Sequence, residues 1–239
     1  MRFPAPLTRA ILLRRYKRFL ADVTLPSGET AVAHCANSGS MLGLAEPGTE
    51  IWLSMNTNPK ARLDWRWELL RTKEGHLVNI NTAHPNAVGA EAIRGGAIPA
   101  LTGYATLRRE VKYGANSRID ILLEDPSRPS CHVEIKSVTL RRPDGPHPTA
   151  AEFPDAVTAR GAKHLRELSG IVAGGGRAVM LYLVQRQDCD AFRVAADIDP
   201  AYAAALAAAR DDGVEILCHE CRVTTDGIDV AGAIPHALD

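Results

Sequence analysis

The sequence predicts a mixed α/β protein in two parts, a small closed β-barrel over residues 1–81 and a helix-flanked mixed sheet over residues 82–239. Three observations carry this. About five short β-like runs, separated by turn residues, crowd the first part, which is the spacing of a small barrel. From Asn86 onward the pattern reads helix, three strands, helix, strand, helix, strand, an order that a hairpin-containing sheet with helices on its faces satisfies. Arg177 to Val184 is a continuous apolar run, as expected of a strand covered on both faces.

At 239 residues and 46% hydrophobic, the chain can bury at least one proper core. Its 28 basic and 28 acidic residues cancel, so any attraction to nucleic acid must come from local clusters rather than a global field. No apolar run is long enough to span a membrane and the N-terminus lacks a signal-peptide pattern, so a cytoplasmic location with no membrane partner is expected. Five scattered cysteines do not form a disulfide framework. Cys218 and Cys221 have metal-like spacing, but a zinc site needs a second pair and none is evident.

The barrel begins with cations. Arg2, Arg9, Arg14, Arg15, Lys17 and Arg18 precede the first acid, Asp22, and Leu12 to Leu20 reads as one strand carrying Arg14, Tyr16 and Arg18 on one face and Arg15, Lys17 and Phe19 on the other. Aromatics interleaved with cations suit a nucleic-acid strand, and equally a solvated strand whose rings face the core. Turns at Pro26–Gly28, Asn37–Ser40 and Glu46–Gly48 separate the next strands, near residues 51–55, 65–71 and 76–80. The OB-fold is a common nucleic-acid-binding barrel of this kind. The loop from Asn56 to Arg62 brings Lys60 within reach of a phosphate or is a bare connection.

Asn86 after Pro85 is the expected cap of a short helix stopped by Gly95–Gly96, and Glu91 lies on it. Ala105 to Tyr113 is the first sheet strand. The loop from Arg141 to Pro148 either folds over a substrate or connects. A helix opened by Asp155 or Thr158 runs to Ala173 with Leu165, Leu168 and Val172 as its apolar seam. Arg160, Lys163, His164 and Glu167 line another side, a phosphate-gripping stripe or a solvated face. Asp199–Pro200 opens an Ala-rich helix ending at Gly213, and Val214 to Cys218 is a further strand.

The chemistry concentrates in the hairpin formed by Ser117–Glu124 and His132–Val138. Glu134 and Lys136, two apart on a strand, project from one side. In a register centred on Ser127, Asp120 lies across from Glu134 at roughly 4.5–5.5 Å between Cβ atoms; a one-residue slip would oppose it to Ile135 instead. Two carboxylates offer hard oxygens to Mg2+ or Mn2+, which polarises a phosphoryl oxygen and acidifies a bound water, and a neighbouring lysine orients that water or offsets developing charge. A solvated strand face with an incidental acid has the same short pattern.

Several longer blocks carry a family resemblance. Arg15-Tyr16-Lys17-Arg18-Phe19-Leu20-Ala21-Asp22-Val23, Asn37-Ser38-Gly39-Ser40-Met41, Glu110-Val111-Lys112-Tyr113-Gly114, Ser117-Arg118-Ile119-Asp120, Val133-Glu134-Ile135-Lys136-Ser137-Val138-Thr139-Leu140 and Phe153-Pro154-Asp155-Ala156-Val157-Thr158 resemble the sugar fermentation stimulation protein A family nearly end to end. The resemblance implies an N-terminal OB-like barrel and a C-terminal PD-(D/E)XK restriction-endonuclease-like domain in a DNA-binding protein linked to regulation of sugar use. The nuclease motif then falls on Asp120 and Glu134-x-Lys136, with Glu91 as the extra acid from the first helix and the Ile135 carbonyl completing the metal ligands. Arg160, Lys163 and His164 become helical phosphate contacts, joining Arg14, Arg15, Tyr16, Lys17, Arg18 and Lys60 of the barrel. Ala162 and Ala61 depart from the family pattern, where polar or basic residues stand. Three functions follow as expectations: a Mg2+- or Mn2+-dependent nuclease, a non-catalytic DNA-binding regulator on a nuclease scaffold, or a metal-binding regulator of another protein.

Overall fold

The computed structural model describes residues 1–113 and 117–238; Gly114, which ends one of the blocks quoted above, and Asp239, the end of the second part, lie outside the described residues. The first part contains β1 (Thr8–Tyr16), β2 (Leu20–Thr24), β3 (Thr30–Cys35), β4 (Glu50–Met55), β5 (Trp65–Arg71) and β6 (Leu77–Asn79). They order as β3-β2-β1-β4-β5-β6, and a parallel β3–β5 pairing closes the barrel. Alternation places Ala10, Leu12, Ala21, Val23, Leu53 and Trp67 inside, where Trp67 Nε1 donates to Leu69 O at 2.9 Å and so loses no hydrogen bond on burial.

One basic strand was expected from Leu12 to Leu20, and the structure has two. β1 stops at Tyr16, pairs antiparallel with β2, and the chain reverses through Lys17 and Arg18, both in the left-handed region at φ 46° and 66°. That tight reversal favours positive φ, which neither residue type advertises.

The second part contains α1 (Pro85–Arg94), β7 (Thr106–Tyr113), β8 (Ser117–Asp125), β9 (Arg128–Val138), β10 (Leu140–Arg141), β11 (Ala150–Phe153), α2 (Ala159–Ala173), β12 (Arg177–Val184), β13 (Ala191–Val194), α3 (Pro200–Asp211), β14 (Glu215–Val223), β15 (Ile228–Ala233) and β16 (His236–Ala237). The main sheet orders as β15-β14-β12-β9-β8-β7, with β12 parallel to both β9 and β14; β10, β11, β13 and β16 form a small second sheet. Val88 and Ile93 of α1 pack with Ile121, Val133 and Leu181 on one face, and Leu165 and Leu168 of α2 and Leu206 of α3 with Leu122, Met180 and Tyr182 on the other. Truncating one such leucine to alanine costs about 2–5 kcal/mol.

The caps expected for α2 and α3 are in place, Thr158 Oγ1 accepting from Gly161 N and Asp199 from Tyr202 N. At α1 the cap is His84, with Pro85 at the first helical position, so Asn86 is inside the helix and its amide is free for other work. Glu68 locks the start of this helix to the barrel. Buried on β5, it accepts from Asn81 Nδ2 at 2.6 Å and lies 3.3 Å from His84 Nε2. Asn79 completes the junction through Gln185, main chain at 3.0 Å and side chain at 2.8 Å.

Candidate acidic site at the β8–β9 split

The hairpin register is the one centred on Ser127, with Ile121 opposite Val133, Leu122 opposite His132 and Leu123 opposite Cys131, and a bulge before the turn. The recorded ladder ends at Ile121–Val133. Beyond it the two strands part, because β8 kinks at Asp120: Ile119 packs with the α2 face while Ile121, two residues on, packs with the α1 face. Its neighbour on β7 kinks too, Glu110 adopting φ 54°, and the β7–β8 pairs pass from Arg109–Ile121 to Val111–Ile119 with no pair recorded between.

Asp120 sits in this split. Its Oδ2 accepts the Ile135 main-chain N–H at 2.7 Å, and its Oδ1 accepts Asn86 Nδ2 at 2.8 Å. Burial, then the nearby Glu134 charge, pushes its pKa up to about 6 against those two stabilising donors.

Glu134 is 3% exposed and points to the α2 face. Its Oε1 accepts Lys136 Nζ at 2.8 Å and His164 Nδ1. Arg160 Nε–H donates to His164 Nε2 at 3.2 Å, so Nε2 must carry the lone pair and Nδ1 the proton that faces Glu134. Burial opposes ionisation of Glu134, but the His164 hydrogen bond and the Lys136 charge hold it below the usual carboxylate range. Its second oxygen, Oε2, is buried without a hydrogen-bond partner among the described residues.

The structure thus brings Asp120, Glu134, Lys136 and the Ile135 backbone together, and leaves Glu91 out. Glu91 is exposed on the far side of α1 and pairs with the Met1 amino group at 2.7 Å, beside Asp229. Five residues along a helix is about 140° of rotation from Asn86, which is the α1 residue that reaches the site. The acid that sequence reasoning missed is Glu110: its Oε1 accepts the same Asn86 Nδ2 at 2.9 Å. A carboxylate at positive φ is visible only once the β7 kink is known. Among the described residues no three His, Cys, Asp or Glu side chains already form a metal cage. The donor set nonetheless fits a hard cation, since an unpartnered buried carboxylate oxygen stands near a second carboxylate that burial makes costly to ionise.

The expected nucleic-acid contacts divide. Lys17, Arg18, Lys60, Arg160 and Lys163 are exposed, Lys163 lying 3.3 Å from Ser117 Oγ. Arg14 pairs with Asp22 at 2.7 Å and lies over the Tyr16 ring. Arg15 spends its guanidinium on the carbonyls of Arg18, Asn37, Gly39 and Ser40, which braces a loop. His164 is buried against Glu134 rather than exposed on the helix surface.

A cleft of about 370 Å3 adjoins the site, bordered by Asn86, Ile135 and Lys136. A larger cavity, about 990 Å3 between the barrel and the loop from Arg141 to Gly145, lies away from the acids. Its arginines are already paired, Arg142 with Glu152 and Asp197 and Arg186 with Asp188.

Comparison with known families matches residues 13–80 to the "SfsA N-terminal OB domain" and residues 83–227 to the "Sugar fermentation stimulation protein RE domain". Two curated relatives, each named sugar fermentation stimulation protein homolog, come from Rhodospirillum centenum and Paramagnetospirillum magneticum. The first is 62% identical over 230 residues, covering 96% of this chain and 97% of the relative. The second is 58% identical over 234 residues, covering 98% and 97%. Among solved structures, that of Pyrococcus furiosus SfsA in complex with Ca2+ aligns at a TM-score of 0.88 with 25% identity, over 99% of this chain and 98% of that one.

Proposed function

The chain belongs to the sugar fermentation stimulation protein family, and from that premise we propose that it binds DNA and hydrolyses phosphodiester bonds at the β8–β9 split in a Mg2+- or Mn2+-dependent reaction. The observation that carries this reading is the unpartnered Glu134 Oε2, buried near a second carboxylate that burial and like charge make costly to ionise. Such an arrangement is under-compensated without a cation. That a solved relative was obtained in complex with Ca2+, another oxygen-seeking divalent ion, supports it.

Asp120 and Glu134 would hold the cation, assisted by the Ile135 carbonyl, with Glu110 rather than Glu91 as the supplementary acid. A bound divalent ion supplies Lewis-acid polarisation and a water of lowered pKa. The chain's own residues do the rest. Asn86 and the Ile135 N–H fix the Asp120 carboxylate from both sides. Lys136 keeps an ammonium beside Glu134, positioned to offset charge growing on a phosphoryl group. Arg160 and Lys163, exposed on α2, are placed to meet flanking phosphates.

A second reading is a DNA-binding regulator that retains the scaffold without catalysis. It is favoured by the donors already engaging both Asp120 oxygens and Glu134 Oε1. Labelled DNA incubated with Mn2+ separates the two. Cleavage by the natural chain and none by Asp120→Ala supports hydrolysis; equal cleavage by both rejects the site, and DNA binding with no cleavage leaves the regulator.

A further inference from the structure

We propose that the DNA recognised is single-stranded, stacked on the barrel beside its β1–β2 turn and led into a cleft that admits one nucleotide at a time. This rests on the nuclease reading of the adjoining acids.

The cleft of about 370 Å3 lies between the barrel loop Asn37–Gly39 and the segment Phe153–Thr158, with Ile135 and Lys136 along its floor. That volume is at the small end of ligand pockets, about the size of one nucleotide. The barrel-side wall is braced. Arg15 Nη2 donates to Asn37 O at 2.9 Å and to Gly39 O at 3.1 Å, and Asn37 Nδ2 donates to Ile80 O at 3.0 Å while its Oδ1 accepts Gly39 N at 2.8 Å. From the other domain, Asp155 Oδ2 accepts Ser40 Oγ and Met41 N, each at 3.3 Å, and presses so close to Gly39 that any Cβ there would collide with the carboxylate. A wall held from both sides does not swing aside for a duplex.

At the strand end leading into that wall stands an aromatic pair, Phe19 exposed and His34 half-buried. Phe19 is 43% exposed and stacks on His34, centroids 6.4 Å apart and planes 28° apart. The Phe19 carbonyl accepts Cys35 N at 2.9 Å, which ties the pair to the chain just before Asn37. Lys17 and Arg18 are exposed in the same turn. Exposed rings flanked by cations bind unpaired bases, whose faces are free, whereas bases in a duplex are already stacked on each other. Platform and one-nucleotide cleft, joined by one rigid loop, select the same substrate.

The test uses the full chain in EDTA, with fluorescein-labelled single-stranded DNA and the same sequence as a blunt hairpin, followed by anisotropy. The single strand should bind at least about tenfold more tightly, and Phe19→Ala should weaken it by about tenfold without moving the thermal midpoint. Gly39→Ala, which forces the wall off Asp155, should reduce the strand preference. Equal or tighter duplex binding overturns the proposal, as does an unchanged preference in both variants. Adding Mn2+ separates this from the reading beneath it. A strand preference without cleavage overturns hydrolysis and keeps the strand assignment; internal cleavage of the hairpin stem as fast as the single strand does the reverse.

Discussion

The Asp120 carboxylate takes the Ile135 main-chain N–H at 2.7 Å, at a point where the ladder recorded between the two strands has already ended at Ile121–Val133. One side chain thus satisfies a backbone donor that the split would otherwise orphan, and holds an acid at the mouth of that split. The carboxylate serves both structure and chemistry, and its ionisation is where the two conflict.

The conflict is measurable as a pH dependence. Asp120 has its pKa raised from 3.8 to about 6, so the folded chain holds this proton more tightly than the unfolded one. Stability from that proton is fully present below about pH 4 and is lost as pH rises through about 6. Asp120→Asn has no such loss. Between pH 4 and 7.5 the natural chain should lose about 2–3 kcal/mol relative to this variant, read from urea unfolding at the two values. A gap that stays constant would show Asp120 to be ordinarily solvated.

A divalent cation should reverse that loss by adding a partner that only the folded chain offers. Saturating Mn2+ at about a hundredfold over its dissociation constant stabilises by about 2.7 kcal/mol. The rise in thermal midpoint should be larger at pH 7.5 than at pH 5, where Asp120 is mostly protonated, and absent in Glu134→Gln. An equal rise in that variant would place the ion elsewhere.

Lys136 and Glu134 form a pair whose side chains are 14% and 4% exposed. Lys136→Met leaves Glu134 with His164 as its remaining side-chain donor in a low-dielectric site, and loss of one member of a buried pair costs about 3–5 kcal/mol. Adding Glu134→Gln removes the stranded charge, so the double variant should recover much of that loss in chemical denaturation. A double variant as unstable as the sum of the two singles would mean the pair is not energetically coupled.

Much of this site was legible because strand alternation and a turn centred on Ser127 fix which residues oppose, and the Ile121–Val133 register follows from them. Glu134 and Lys136 share a face for the same reason. What alternation cannot signal is a kink. The left-handed φ of Glu110 turns β7 and brings its carboxylate to Asn86, which regular alternation along that strand does not signal. Glu91 entered only through the family resemblance, which supplies an acid from the first helix but not its direction, and on α1 it turns to the Met1 amino group instead. The small sheet of β10, β11, β13 and β16 escaped because runs of two to four residues carry no readable period. Cys218 and Cys221 are both buried free thiols, Cys218 in the core of the α2–α3 face and Cys221 in that of the α1 face.

The different positions of Glu110 and Glu91 yield their own prediction. Glu110→Gln should weaken Mn2+ stabilisation several-fold, because it removes a carboxylate sharing Asn86 with Asp120, while Glu91→Gln should leave it unchanged. Calorimetric titration of Mn2+ into both variants decides between them, and the opposite ranking would return the supplementary acid to the helix.

The barrel's arginines separate by the same reasoning about where a charge is spent. Lys17 and Arg18 are exposed in a turn, whereas Arg15 is committed to four carbonyls that shape the cleft wall. Each phosphate contact on a single strand contributes about 0.7 to the slope of log affinity against log salt. Replacing Lys17 and Arg18 by glutamine should therefore flatten that slope by roughly 1.4. Arg15→Met should leave the slope nearly unchanged while lowering barrel stability, because four carbonyls lose a charged donor worth about 1.5–3 kcal/mol per bond at most. A slope that falls as much for Arg15 as for its neighbours would mean that its guanidinium leaves the loop to meet the strand, and the wall it braces would then have to open when DNA binds.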